Sequence, residues 1–129
     1  MARPSSSHPT DLELEILKIL WQAGPQTVDE VRRALAARDR ELTHSSVITV
    51  MNIMVKKKYL KRQKVSRAFQ YQPCVSDKEV HRGMLGNLVD RVFQGSATAV
   101  MLELLETNDL DEAEIKEIRR MINRKAREQ

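Results

Sequence analysis

The chain has 129 residues, a length that suits one compact domain or two small lobes and excludes a large core. Its formal net charge of +4 is unevenly divided: residues 1–76 hold 13 Lys or Arg against 7 Asp or Glu, net +6, and residues 77–129 hold 9 against 11, net −2. A basic half attracts a polyanion, whereas a near-balanced half rich in Leu, Val, Ile and Met suits helices buried against one another. Cys74 is the single cysteine, which excludes an internal disulfide and fits a reducing cytosol. No run approaches the roughly 18 apolar residues of a membrane span, and the opening MARPSSSHPT has no apolar signal region, so a cytoplasmic chain without membrane insertion is expected. Residues 1–9 read as a mobile polar leader.

Helix starts are legible because Ser/Thr/Asp-x-x-Glu recurs four times: Thr10 with Glu13, Thr27 with Glu30, Ser76 with Glu79, and Asp111 with Glu114. In each, the capping side chain and the Glu satisfy one another's free backbone amides. The first predicts a helix ending near Ala23, with Ile16, Leu17, Leu20 and Trp21 in the core and Gly24-Pro25 as the stop. A second helix is predicted over 28–38, burying Val31, Ala34 and Leu35.

A polar turn over 38–42 leads to a third helix, capped by Thr43 and running to about residue 57. At 100° per residue Ser45, Thr49, Asn52 and Lys56 share one side, and Val47, Val50, Met51 and Met54 the other. Two short runs follow, 59–64 and 68–72, joined by Val65-Ser66-Arg67, and read as a β-hairpin before Pro73. Three helices and then a hairpin is the order of a winged helix-turn-helix. The remainder reads as helix over 77–93, 97–106 and 112–127. The predicted fold is thus mainly α: a winged helix-turn-helix domain over 10–75 followed by a three-helix dimerisation domain over 76–129.

Between residues 42 and 76 there are seven Lys or Arg and no Asp or Glu. Positive charge on an ordered helix and hairpin suits DNA, because phosphates are neutralised while a fixed set of side chains meets base edges. A recognition helix needs an apolar side to dock and short polar or methyl-bearing groups on the other, since long ones hold it off the groove floor. Ser45, Ser46, Thr49 and Asn52 supply hydrogen-bonding groups, Asn52 matching adenine, while Ile48 matches a thymine methyl. His44 falls at the helix start, near a phosphate or base. Lys56, Lys57, Lys58, Lys61, Arg62, Lys64 and Arg67 form the electrostatic component; Lys56, Lys61, Lys64 and Arg67 are the main candidates, with Arg67 placed at the hairpin tip for the minor groove.

Catalysis has little to draw on. His8, His44, His81 and Cys74 lack metal-ligand spacing, and Glu13/Glu15 and Asp109/Asp111 read as helix-start charges. No phosphate-binding glycine loop or nucleophile elbow is present, so neither metal nor cofactor is expected and the chain is not read as an enzyme. In the last 50 residues Leu85, Leu88, Val89, Val92 and Phe93 line one helix, Met101, Leu104 and Leu105 with Val100 a second, and Ile115, Ile118, Met121 and Ile122 a third. A lobe this small has difficulty hiding three amphipathic helices internally, which points to sharing them with a second copy. The competing reading is a winged-helix module for an acidic protein partner, for which aromatic or large apolar anchors on the third helix would be expected.

The segments TDLELEILKILW, QTVDEVRRAL, THSSVITVM, KKKYLKRQKVSRAFQYQP, VFQGS and AVMLELLE, in that order and spacing, resemble the penicillinase-repressor family of the BlaI/MecI/CopY type, from Thr10 to about Asn123. The resemblance implies dimeric winged-helix repressors of a palindromic operator, with Ser45, Ser46 and Thr49 reading the major groove. In the β-lactam-responsive branch a membrane sensor with a zinc-protease domain triggers cleavage of an Asn-Phe bond in the C-terminal lobe; the matching place here is Glu103-Leu104, a departure. The copper-responsive branch carries C-terminal Cys-x-Cys motifs, and NRKAREQ contains none. Lys58 stands where the family usually has Gly, so a positive φ there would cost about 1 kcal/mol relative to Gly.

Overall fold

A computed structural model describes residues 8–129; the leader expected over residues 1–9 lies outside them except for its last two positions. The chain runs α1 (Asp11–Ala23), α2 (Val28–Ala36), α3 (His44–Lys56), β1 (Leu60–Val65), β2 (Ala68–Pro73), α4 (Asp77–Val92), α5 (Ala97–Thr107) and α6 (Glu112–Arg127). This is the expected mainly helical order, with α2 two residues shorter than its pattern predicted. All four capping boxes close: Thr10 with Glu13, Thr27 with Glu30 and Asp111 with Glu114 are reciprocal. In the fourth, Ser76 N–H donates to Glu79 Oε1 at 2.9 Å and Glu79 N–H to Ser76 Oγ at 3.1 Å. Each cap is worth about 1 kcal/mol and fixes where its helix begins.

The ends of α2 and α3 share a device. Asp39 (φ 64°) and Lys58 (φ 69°) both take the left-handed conformation. Arg40 N–H donates to Leu35 O at 2.9 Å and Asp39 N–H to Ala36 O at 3.1 Å. After α3, Tyr59 N–H donates to Met54 O at 2.9 Å and Lys58 N–H to Val55 O at 3.0 Å. These paired bonds satisfy carbonyls the helix leaves open and turn the chain sharply. The first turns it from α2 towards α3, and the second from α3 into β1.

The core gathers Ile16, Leu17, Ile19 and Leu20 of α1, Val28, Val31 and Leu35 of α2, Val47, Met51 and Met54 of α3, Leu60 and Tyr71 of the hairpin, and Val80 of α4. Burying each large aliphatic side chain contributes about 1.5–3 kcal/mol, so the apolar sides of the three helices fix their mutual packing. Trp21, expected in the core, is only half-buried because its indole Nε1–H reaches out to Val75 O at 2.9 Å. Glu13 is the buried charge, 3% exposed. Its Oε2 accepts from Lys57 Nζ at 2.8 Å while Oε1 holds the Thr10 amide at 2.9 Å, so one carboxylate caps α1 and pins the end of α3.

The hairpin pairs antiparallel, Leu60 opposite Pro73 through Val65 opposite Ala68. Its turn is the two residues Ser66-Arg67; Val65, expected in the turn, belongs to β1. Ser66 takes φ 60°, the positive value that two-residue hairpins demand and Gly normally supplies. The base of the hairpin is held by a third piece of chain that periodicity did not reveal. Gln26 N–H donates to Tyr71 O at 3.1 Å and Tyr71 N–H to Gln26 O at 2.8 Å.

The chain divides into two compact units, one ending at Asn87 and one beginning at Leu88, so the division falls within α4. The first unit extends beyond the hairpin because Val80 and Met84 pack on its core and His81 meets the Trp21 ring edge-on at 6.3 Å. In the second unit Val100 is buried, and no residue of α6 is. Among the described residues no helix is long and apolar enough to cross a membrane.

Candidate nucleic-acid interface

The interface begins with how α3 is capped. Thr43 Oγ1 accepts from Ser46 N–H at 3.1 Å and its hydroxyl donates to Ser46 Oγ at 3.0 Å, while the first turn carries no acidic residue. The free amides at this helix start therefore keep their partial positive charge, which favours a phosphate nearby. His44, Ser45, Ser46 and Thr49 are exposed on the first two turns. Thr49 donates its hydroxyl back to Ser45 O at 2.8 Å, which leaves its oxygen lone pairs able to accept. Lys56 is exposed at the far end of the same side.

Two members of the expected reading face are engaged inside the domain. Ile48 is half-buried against the core, which limits the thymine contact assigned to it. Asn52 Oδ1 accepts from Arg62 Nη1 at 2.9 Å and from the Tyr71 hydroxyl at 3.0 Å. Both lone pairs of that oxygen are thereby used within the domain, and the bidentate adenine pairing expected of Asn52 calls on the same oxygen together with the amide donor. Sequence reasoning passed over Ile53, which is 42% exposed on the outer flank of α3, one turn after Thr49. The helical wheel places it 80° from Ser45, on the edge of the outward face.

The seven cations separate into three uses. Lys57 is spent on Glu13, with side-chain exposures of 25% and 4%, and lies 6.0 Å from the Tyr59 ring. Arg62 is spent on Asn52 and on the Phe69 ring, its guanidinium carbon 4.7 Å from the centroid. Lys56, Lys58, Lys61, Lys64 and Arg67 are exposed, as Arg62 is, but among the described residues they make no ion pair or ring contact of the kind that Lys57 and Arg62 make. Along β1, side chains alternate, so Arg62 and Lys64 share one face with Phe69 and Tyr71 while Lys61 projects from the other. Arg67 stands in the turn at the hairpin tip. The register thus sets Lys64 and Lys61 on opposite faces of the hairpin.

The expected dimer residues fall into two groups. Leu85, Leu88, Val92, Met101, Leu104, Leu105, Ile115, Ile118, Met121 and Ile122 are exposed, whereas Val89 and Phe93 are half-buried. Within the second unit, α5 and α6 enclose an apolar groove of about 970 Å³, lined by Met101, Leu104, Leu105, Leu110, Ile118, Met121 and Ile122 with Asn108, Glu114 and Lys125 at its margins. Glu103 and Leu104 are both exposed in the middle of α5. Among the described residues no group of three or more His, Cys, Asp or Glu is placed to hold a metal ion.

Three packed helices, a left-handed turn into a two-stranded hairpin and a side of small polar groups on the third helix define a winged helix-turn-helix protein. Its fold matches the solution structure of the DNA-binding domain of the repressor BlaI, with a TM-score of 0.50 and 24% identity over 58% of this chain and 90% of that one. The family profile described as penicillinase repressor matches residues 9–124, and the chain belongs to that family. It is 34% identical over 106 residues to the transcriptional regulator BlaI of Mycobacterium tuberculosis, covering 81% of this chain and 76% of that protein. It is 24% identical over 113 residues to the methicillin resistance regulatory protein MecI of Mammaliicoccus sciuri, covering 88% and 91%. The penicillinase repressor of Bacillus licheniformis is 25% identical over 109 residues, 84% of each chain.

Proposed function

We propose that this chain is a cytoplasmic, sequence-specific transcriptional repressor that occupies a palindromic DNA operator as a homodimer. The observation that carries the reading is the juxtaposition of an α3 face bearing exposed Ser45, Ser46 and Thr49 with a wing of exposed cations, no carboxylate lying between residues 42 and 76. Small hydroxyls let the helix approach the groove floor and read base edges, while Lys56, Lys61, Lys64 and Arg67 grip phosphates on either side. His44 sits at the helix start, where an imidazole meets the first phosphate. The relatives, a penicillinase repressor and two regulatory proteins, support the same reading.

Dimerisation rests on the exposed apolar sides of α5 and α6, which a single copy leaves wet at considerable cost. A second copy of the same unit is self-complementary to such a surface, and two-fold pairing brings two copies of α3 onto one duplex about one turn, roughly 34 Å, apart. Release is by signal-dependent proteolysis in the C-terminal unit at or near Glu103-Leu104, under the indirect control of a membrane sensor protease. That bond lies inside a helix, so α5 must unwind locally before a protease can take it.

Anisotropy titration of the full chain on its own upstream DNA against a scrambled duplex tests the reading. The expected outcome at physiological salt is at least a thousandfold preference for one palindromic site. Equal micromolar affinity for both duplexes would reject operator recognition.

A further inference from the structure

Three polar side chains meet where α3 faces the hairpin. Asn52 Oδ1 accepts from Arg62 Nη1 at 2.9 Å and from the Tyr71 hydroxyl at 3.0 Å. Tyr71 is 1% exposed, and Arg62 stands opposite it in the β1–β2 register. Tyr71 is held in turn by both backbone bonds to Gln26, so the hydroxyl that meets Asn52 belongs to the firmest point of the hairpin. Arg62 stacks at 4.7 Å on Phe69, which lies on the partly exposed stretch towards the tip.

An arginine on a basic wing is ordinarily a phosphate contact. Here its charge is directed at a side-chain carbonyl and an aromatic face, and both hold the guanidinium in one orientation. A two-stranded hairpin is marginal by itself, and from Lys61 to Phe69 this one is exposed throughout. Without a tie to α3, the wing would pivot about its base, and helix and wing would engage neighbouring grooves only at an entropic cost.

We propose that Asn52, Arg62 and Tyr71 form a positioning lock that sets the angle between α3 and the wing, so that DNA binding depends on a tyrosine that cannot itself reach DNA. Asn52 is then a positioning residue and not a reader of adenine, and Arg62 braces the wing in place of gripping phosphate. This inference rests on the operator-binding reading above.

The test begins with the full chain selecting a site from a randomised duplex pool. Wild type, Tyr71→Phe, Asn52→Ala, Asn52→Asp and Arg62→Ala are then compared on that site by salt titration, hydroxyl-radical footprinting and a scan of single base-pair changes, with circular dichroism to report folding. Tyr71→Phe and Asn52→Ala are expected to weaken binding about tenfold, the scale of losing a buried hydrogen bond, and to erase protection at the wing-contacted flank while keeping the base-pair preferences of α3. Asn52→Asp keeps the acceptor oxygens and retains flank protection, and Arg62→Ala leaves the salt slope unchanged. Should Tyr71→Phe misfold, the contrast between Asn52→Asp and Asn52→Ala carries the test alone. The lock is overturned if both Asn52 variants flatten preference at one base pair with the flank intact, or if Arg62→Ala lowers the salt slope by about one unit. A wild-type chain that selects no consensus overturns the operator reading itself, an outcome distinct from these.

Discussion

Lys58 stands at φ 69° at the end of α3, a backbone state that costs a residue with a Cβ about 1 kcal/mol relative to glycine. Lys58→Gly is therefore expected to raise stability by up to about 1 kcal/mol, read as a higher urea midpoint with unchanged slope, while weakening DNA non-specifically through a lost cation. A lower midpoint would mean that the lysine side chain makes a stabilising contact outweighing the strain. Asp29 presents a second local balance. The Arg32 hydrogen bond holds its carboxyl below the usual carboxylate range; partial burial opposes this, and Arg33 reinforces it. Because the folded state prefers the ionised form, the contribution is fully present above the carboxyl's unfolded pKa and is lost as pH falls through its lower folded value. Asp29→Asn is expected to flatten the stability profile in acid below about pH 4 and nowhere else, since the unfolded carboxyl titrates near there. A change in slope between pH 5 and 8 would contradict that assignment.

Helix α3 shows how one element serves two masters. Val47, Met51 and Met54 are fully buried, so its axial position is set by the core, and Ser45, Ser46 and Thr49 follow to the outside by the helical period alone. Energy and information are thereby separated in the proposed reading: the apolar side stabilises the fold, and the exposed hydroxyls keep hydrogen-bonding capacity for base edges beyond the bonds that Ser46 and Thr49 make within the helix start. The hairpin divides its labour similarly, with Leu60 and Tyr71 buried at the base and Lys64 and Arg67 exposed towards the tip. Lys61→Ala and Arg67→Ala are each expected to lower the slope of log affinity against log salt by about one unit, uniformly across sequences. Thr49→Ala, by contrast, is expected to lose about 1–3 kcal/mol of discrimination at one base pair with the salt slope intact. Identical effects of the lysine and threonine changes on every duplex would collapse the distinction between grip and reading.

For the molecule as a whole, the two units differ in what completes them. The first has a continuous core and no buried side-chain polar atom without a partner among the described residues. The second leaves Leu104, Leu105, Met121 and Ile122 about half exposed, the surface that the proposed pairing with a second copy would cover. Ile118→Glu, which puts a charge into the α5–α6 groove, is expected to yield a monomer in sedimentation with the first unit still folded. Its operator affinity should fall at least a hundredfold, because the second half-site no longer binds as part of the same event. A variant that stays dimeric would place the interface elsewhere.

The helix starts and the outward side of α3 are legible in the residues because each depends on interactions within three or four positions, and the hairpin is legible from its two short runs although its strands pair as far apart as Leu60 with Pro73. Thr10 with Glu13 closes a cap wherever it is placed, and a 3.6-residue period puts Thr49 above Ser45 in any helix. What long-range packing decided was the use of individual side chains. Glu13 looked like a helix-start charge and is also the buried partner of Lys57, 44 positions away. Asn52, expected to read a base, is hydrogen-bonded to Arg62 and Tyr71, and Gln26, given no structural role by periodicity, anchors the hairpin. Local chemistry states what a side chain can bond to, but the bond it makes depends on which distant group the fold brings within about 3 Å of it.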